Sequence, residues 1–259
     1  MSGRVGSITT DIIADGLVYS IDGANRASVS LKPNPTLAYN TINTSFSSSI
    51  NDSGMWEDIN GGSFVFDGTG DVILCQSDLS GNINSMIGAI TAQCWVKTTQ
   101  TTVYKYAICR DQVGGVNRDW NLIKDNFYGS GGRMIFSVFN DSNASLAIRL
   151  TGTNDPAGNA LITMNDGNWH QVTGTYNGTD TVSLYTDGVL QGTNTSAGHG
   201  AIKDSTTRVT VGGYNNGSLP TALVGSWVGN IANTRIYNRA LSANEVLHNY
   251  NALKGRFGL

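Results

Sequence analysis

The sequence predicts an all-β fold of two packed antiparallel sheets, closed by a short C-terminal helix. Short runs of alternating apolar and polar residues recur along the 259 residues, with Gly-, Asn- and Asp-rich turns between them. Glycine contributes 32 residues and proline only 4. Glutamate occurs only at Glu57 and Glu245 and lysine is sparse, so the strong helix formers are nearly missing.

In chain order the strand candidates are "LVYSID", "SFVFDG", "DVILCQ", "ITAQCWVKT", "YKYAICR", "WNLIK", "RMIFSVFN" and "SLAIRLT", then "HQVTGTY", "VSLYTDG", "RVTVGGY" and "NIANTRIYN". In "TAQCWVKT", Ala92, Cys94 and Val96 alternate with Thr91, Gln93, Trp95 and Lys97, so Cys94 reads as a small apolar residue. The stretch "DGNWHQVTGTYNGTDTVSLYTDG", from Asp166 to Gly188, reads as a hairpin. Val172, Tyr176, Val182 and Leu184 can share its buried face, and Asn177-Gly178 and Asp187-Gly188 adopt turns with positive φ. The loops "FNDSNAS", "TNDPAGN" and "NTSAGHGAIKDST" lie at sheet edges or tips, where a rigid scaffold exposes specificity.

One helix is signalled, in "ALSANEVLHNYNALKG". Ser242 and Glu245 form a capping box, Leu241 and Val246 a hydrophobic staple, and Gly255 is the expected terminator. Val246, Tyr250 and Leu253 make an apolar stripe that should dock on the sandwich.

Only 14% of residues are charged, the net charge is -3 and the basic residues are scattered, which argues against a nucleic-acid partner. No apolar run is long enough for a signal peptide or a membrane span, so cytoplasmic synthesis without a membrane partner is expected. Cys75, Cys94 and Cys109 are odd in number and match no metal or disulfide spacing, so reduced thiols are expected. The three histidines, His170, His199 and His248, show no zinc-binding pattern, and no nucleophile elbow or phosphate loop is present.

"GNWHQVTGTYNG", "VSLYTDG", "VTVGG" and "GNIANTRIYNRALSANEV" occur in that order, preceded by "FVFDGTGDVI". Together they resemble the signature of the laminin-G-like or concanavalin A-like jelly-roll superfamily. The resemblance implies two curved antiparallel sheets stacked face to face. It also implies that Trp169 closes the sheet rim with an indole N–H that needs a partner, and that His170 is structural. The jelly-roll domain is expected over 61–259. Residues 1–60, rich in Ser, Asn and Thr, are expected to be an extension whose first strands pack on the sandwich or on a neighbour. "DGLVYSIDGANRAS" and "MWEDING" near the start, with "YNALKGRFGL" at the end, resemble the flanks of jelly-roll proteins in tailed-bacteriophage virions.

Glycosidases on this general fold carry two carboxylates about 5 Å apart on one strand face. No such pair occurs here, so the chain is expected not to be an enzyme. Some relatives hold calcium at the sandwich rim. Asp67, Asp71 and Asp187 are the candidate ligands here, although Asp-Gly turns explain the same residues and Ala232 stands where many relatives carry an acid. Sugar binding would use Trp120 or Tyr214, with Asn215 beside the latter; packing in the core or at an edge is the alternative for both rings.

These readings point to a non-enzymatic structural protein of a bacteriophage particle, as capsid decoration, head fibre or tail appendage. It would be located in the virion, with other virion proteins, itself as a homo-oligomer (a trimer) and host surface glycans as partners. A carbohydrate-binding adhesion module is the alternative, and a glycoside hydrolase the third reading.

Overall fold

The computed structural model describes residues 11–29, 34–52, 54–75, 86–102, 104–112, 117–125, 132–150, 153–215 and 223–259. Among these the chain forms β1 (Leu17–Asp22), β2 (Leu37–Tyr39), β3 (Ser47–Ile50), β4 (Trp56–Glu57), β5 (Ser63–Asp67), β6 (Ile73–Cys75), β7 (Ile90–Lys97), β8 (Lys105–Gln112) and β9 (Asn117–Asp125). There follow β10 (Arg133–Phe139), β11 (Ser145–Arg149), β12 (Trp169–Tyr176), β13 (Thr181–Thr186), β14 (Val189–Thr195), β15 (Thr210–Val211), β16 (Tyr214–Asn215), β17 (Leu223–Val224), β18 (Val228–Tyr237) and the helix α1 (Ala243–Leu253).

The strands make two sheets. The first runs β14-β13-β12-β7-β18-β5-β4, and β1 joins β18 beside β5. The second runs β11-β10-β9-β8-β15-β6-β3-β2, with the β16/β17 hairpin attached to β8. Pairing is antiparallel throughout except where Asn215 meets Gln112 in parallel register. This is the two-sheet jelly-roll sandwich expected from the sequence.

Alternation decides which way each strand faces. Val172, Tyr176, Val182 and Leu184 all have no exposed surface and lie in the core between the sheets, with Phe64, Trp120, Phe136 and Trp227. Gly174 on β12 faces Phe136 across that core, where an added Cβ would sit 2.3 Å from the ring. A larger residue there would push the sheets apart. The β13/β14 turn has φ of 53° at Asp187 and 79° at Gly188, the left-handed pair that a two-residue hairpin requires.

The residues before Gly61 supply two strands to each sheet: β1 and β4 to the first, β2 and β3 to the second. Tyr19, Ile21, Val29, Ala38, Ile50 and Met55 point into the main core. On the far side of β18, Val228–Ile231 pair with β5 and Asn233–Tyr237 with β1. Cys75, Cys94 and Cys109 are buried and unpaired.

Helix α1 covers the outer face of the first sheet. The capping box between Ser242 and Glu245 is formed on both sides, and Leu241 and Val246 pack with Tyr185 and Tyr237. The terminator differs from the expected one. Gly255 continues into a 3-10 turn over Lys254–Phe257, and Gly258, at φ 78°, ends it. The extra turn carries Phe257 onto Trp95, with ring centroids 4.2 Å apart, and onto Trp169 at 4.8 Å. The Trp169 indole N–H donates to Asn60 Oδ1 at 2.9 Å. Among the described residues no helix is long and apolar enough to cross a membrane.

Candidate functional site

Neighbouring residues on β9, β10 and β11 part to opposite faces of the second sheet. Trp120, Leu122, Phe136, Val138, Leu146 and Ile148 enter the core. Asn121, Ile123, Ser137, Phe139, Ser145 and Arg149 line a groove of about 550 Å³ on the outside. Tyr104, Lys105, Tyr106 and Arg118 complete one part of its lining, and Tyr214, Val224 and Gly225 from the β16/β17 hairpin complete another.

Several contacts hold these side chains in place. Tyr106 and Tyr214 tilt together at 52° with centroids 4.5 Å apart. The Arg118 guanidinium stands 4.2 Å over the Phe139 ring, and its Nε donates to Asp111 Oδ1 at 3.1 Å. Asn121 Nδ2 donates to Asp111 Oδ2 at 2.8 Å. A carboxylate only accepts, so this bond fixes the amide and leaves Oδ1 as its remaining acceptor. That atom is buried and has no hydrogen-bond partner among the described residues, an arrangement that costs about 1–3 kcal/mol.

Burial raises the pKa of the Tyr106 phenol, and the nearby Asp111 adds to the effect; Tyr214 is raised for the same reasons. Both hydroxyls therefore remain donors at neutral pH. Tyr104, 37% exposed, adopts φ 51°, a left-handed conformation that costs a non-glycine residue about 1–2 kcal/mol.

The sequence-derived candidates are distributed as follows. Tyr214 lines the groove. Asn215 pairs through its backbone with Gln112 and Leu223, and its side chain lies outside the described residues. Trp120 is corrected: its exposure is 0% and its ring packs between the sheets, so it has no face to offer a sugar. Strand alternation gives the groove Asn121 instead.

The three aspartates do not converge. Asp71 Oδ2 accepts from the Asp67 N–H at 2.7 Å, and Asp67 Oδ1 from the Thr69 N–H at 2.6 Å, closing a turn. Asp187 accepts from the Gln171 N–H at 2.8 Å and lies 2.7 Å from His170 Nδ1. Three strands, β18, β7 and β12, separate β5 from β13, a distance of roughly 19 Å. One calcium ion cannot take all three, and among the described residues no group of three or more His, Cys, Asp or Glu side chains could hold a metal.

His170 has a structural setting. Its Nε2 lies 3.2 Å from Asp166 Oδ1, so the ring is held between two carboxylates. Burial would lower its pKa, but the hydrogen bond and charge of Asp187, aided by Asp166, raise it above the ordinary histidine value.

Tyr104, Arg118, Asn121, Phe139 and Arg149 were not anticipated from the sequence. Period-two alternation in "DWNLIK" and "RMIFSVF" gives the outward residues once the inward ones are known. Nothing local places Tyr214 beside Tyr106.

A two-sheet antiparallel sandwich with a groove on the outer face of one sheet defines a jelly-roll domain. The chain belongs to the concanavalin A-like lectin/glucanase superfamily, whose model matches residues 67–247. No curated protein matches it. Similar solved structures include the receptor binding domain of botulinum neurotoxin D, 15% identical with a TM-score of 0.62, covering 92% of this chain and 52% of that one. The binding domain of Paraclostridial Mosquitocidal Protein 1 is 12% identical with a TM-score of 0.61 and the same coverage. The botulinum neurotoxin serotype D ligand binding domain in complex with N-acetylneuraminic acid is 14% identical with a TM-score of 0.61, covering 92% of this chain and 51% of that one. The chain thus spans about half the length of these structures, and the likeness is one of fold.

Proposed function

We propose that the chain is a non-enzymatic glycan-binding module carried on a bacteriophage particle, as capsid decoration, head fibre or tail appendage. The observation that carries the binding role is a groove on the outer face of the second sheet that offers aromatic rings and phenol hydroxyls. The tyrosine hydroxyls can donate to sugar oxygens, and Tyr104, 37% exposed, offers a ring edge to sugar C–H groups. A sialic acid complex of one structurally similar domain fits the same reading.

The non-enzymatic reading is supported by the groove lining, which holds no Asp or Glu among the described residues. A glycosidase needs two such groups flanking the scissile bond. The particle setting is supported by the flanking motifs that resemble phage virion proteins, and self-association as a trimer is part of the same proposal.

A glycan array probed with the full chain tests the binding role. Retention of one glycan class without turnover is the expected result, and loss of retention in Tyr104→Ala would assign it to this groove. Electron microscopy of purified particles labelled against the chain tests the setting. Absence from particles would overturn it.

A further inference from the structure

The outer face of the first sheet is polar where the C-terminal segment covers it. Strand register sets two transverse rows there. Thr173, Gln93 and Arg235 stand opposite one another on β12, β7 and β18, and Gln171, Trp95 and Asn233 form the next row. The Gln93 amide is satisfied at both ends: Nε2 donates to the Thr173 hydroxyl at 2.9 Å, and Oε1 accepts from Asn249 Nδ2 of α1 at 3.3 Å. The second row is different. Trp95 Nε1, Asn233 Nδ2 and both amide atoms of Gln171 are buried without a hydrogen-bond partner, and so is Nε of the adjacent Arg235. These four residues are at most 3% exposed.

The set is rich in donors. Arg235 orients the Asn233 amide, because its Nη1 donates to Asn233 Oδ1 at 3.0 Å and leaves Nδ2 as the free donor. Indole and guanidinium N–H groups only donate. Trp95 is the direct cross-strand neighbour of both Gln171 and Asn233, at a spacing of about 4.5–5.5 Å, and Arg235 follows Asn233 on the same face. A water molecule among them would need acceptors for its own hydrogens, and of the five unpartnered atoms only Gln171 Oε1 accepts. An acceptor-only ligand suits the other four. Charge points the same way. Burial pulls the Arg235 pKa down from the guanidinium range, and its ion-pair partner Asp22, 3.9 Å from Nη2, already accepts two hydrogen bonds from Arg256.

We infer that Trp95, Gln171, Asn233 and Arg235 close round one small monovalent anion, a halide, sealed beneath the C-terminal segment. Phe257 lies on the Trp95 ring, Tyr250 stacks on it with centroids 5.6 Å apart, and Leu253 packs against the same cluster. This cover shuts out bulk solvent and any large ligand. The anion supplies each unpartnered donor with an acceptor and neutralises the buried guanidinium, so it fastens the C-terminal turn to the sheet. The site is separate from the groove, which opens on the other sheet.

The test is to melt the full chain at constant ionic strength while sodium chloride or bromide replaces sodium gluconate. The melting temperature should climb saturably with halide, by about 3 °C at roughly ten times the apparent Kd. Asn233→Asp places a carboxylate at the same point, so it should lose the halide response while melting at or above the wild type in gluconate. Trp95→Phe keeps a stacked ring and removes one donor, and it should raise the halide concentration at half effect about tenfold. A crystal grown in bromide should show an anomalous peak within hydrogen-bonding reach of Arg235 Nε and Trp95 Nε1. Equal melting in halide and gluconate would overturn the inference. So would a halide response unchanged in both variants, or a crystal with water in place of the anomalous peak.

Discussion

Arg256 and Asp22 lie 234 residues apart in sequence and meet through two hydrogen bonds, from Arg256 Nη1 to Asp22 Oδ1 at 2.8 Å and to Oδ2 at 3.0 Å. The same guanidinium donates to the carbonyls of Asn60 and Gly62. One side chain therefore ties together the end of β1, the approach to β5 and the C-terminal 3-10 turn. Arg256→Ala should lower the unfolding free energy by about 2 kcal/mol, since partly buried charge-assisted bonds are lost and the Asp22 carboxylate is left behind. Urea titration would read the shift, and an unchanged midpoint would mean that the tie is only a surface contact.

Truncation to residues 61–259 should abolish folding. It removes β1 through β4 and takes Tyr19, Ile21, Val29, Ala38, Ile50 and Met55 out of the main core. Circular dichroism with a retained β signal and a cooperative melt would contradict this and mark the segment as an appendage.

Trp169→Ala should destabilise by roughly 3–5 kcal/mol, because the indole packs against Phe257 and caps Asn60. Trp169→Phe keeps much of the apolar contact and loses the hydrogen bond, so its melting temperature should fall between those of the other two proteins.

His170 gives a pH dependence of definite sign. Its pKa is raised in the folded state, so the folded chain holds the proton more tightly than the unfolded one. The resulting stability is fully present below the unfolded value of about 6.5 and is lost as pH rises through the higher folded value. The wild type should therefore melt lower at pH 8.5 than at pH 6 by an increment missing from His170→Asn. An equal fall in both proteins would assign the effect elsewhere.

Tyr104→Gly should separate stability from binding. Glycine accepts φ 51° without the strain, so thermal stability should hold or rise by up to about 1 kcal/mol, while retention on the glycan array falls. Reduced stability together with unchanged retention would remove Tyr104 from the site.

The hairpin over 166–188 was legible because inward residues recur at period two and Asp-Gly marks a turn in a way that needs no partner. The C-terminal helix was legible for a similarly local reason, the reciprocal bonds of Ser242 and Glu245. Its end was not, since Gly255 and Gly258 are equivalent until Trp95 and Trp169 supply a place for Phe257. Trp120 shows the limit at the site. An aromatic among polar residues suits a sugar platform or a core equally well, and only the opposing sheet decides. The groove itself depends on β16 returning to β8 across about a hundred residues of sequence, as in the Asn215 to Gln112 pairing, a relationship no local pattern encodes.

The two described ends of the chain share one side of the molecule. Ile12 and Ile13 pack beside α1, His248 Nε2–H donates to the Asp11 carbonyl, and Phe257 lies on Trp95, all on the outer face of the first sheet. The groove opens on the outer face of the second. Residues 11–13 and the C-terminal 3-10 turn thus lie behind the sandwich, and the groove looks away from them like a palm turned outward. The direction in which the groove faces relative to α1 therefore follows from the connectivity of the fold.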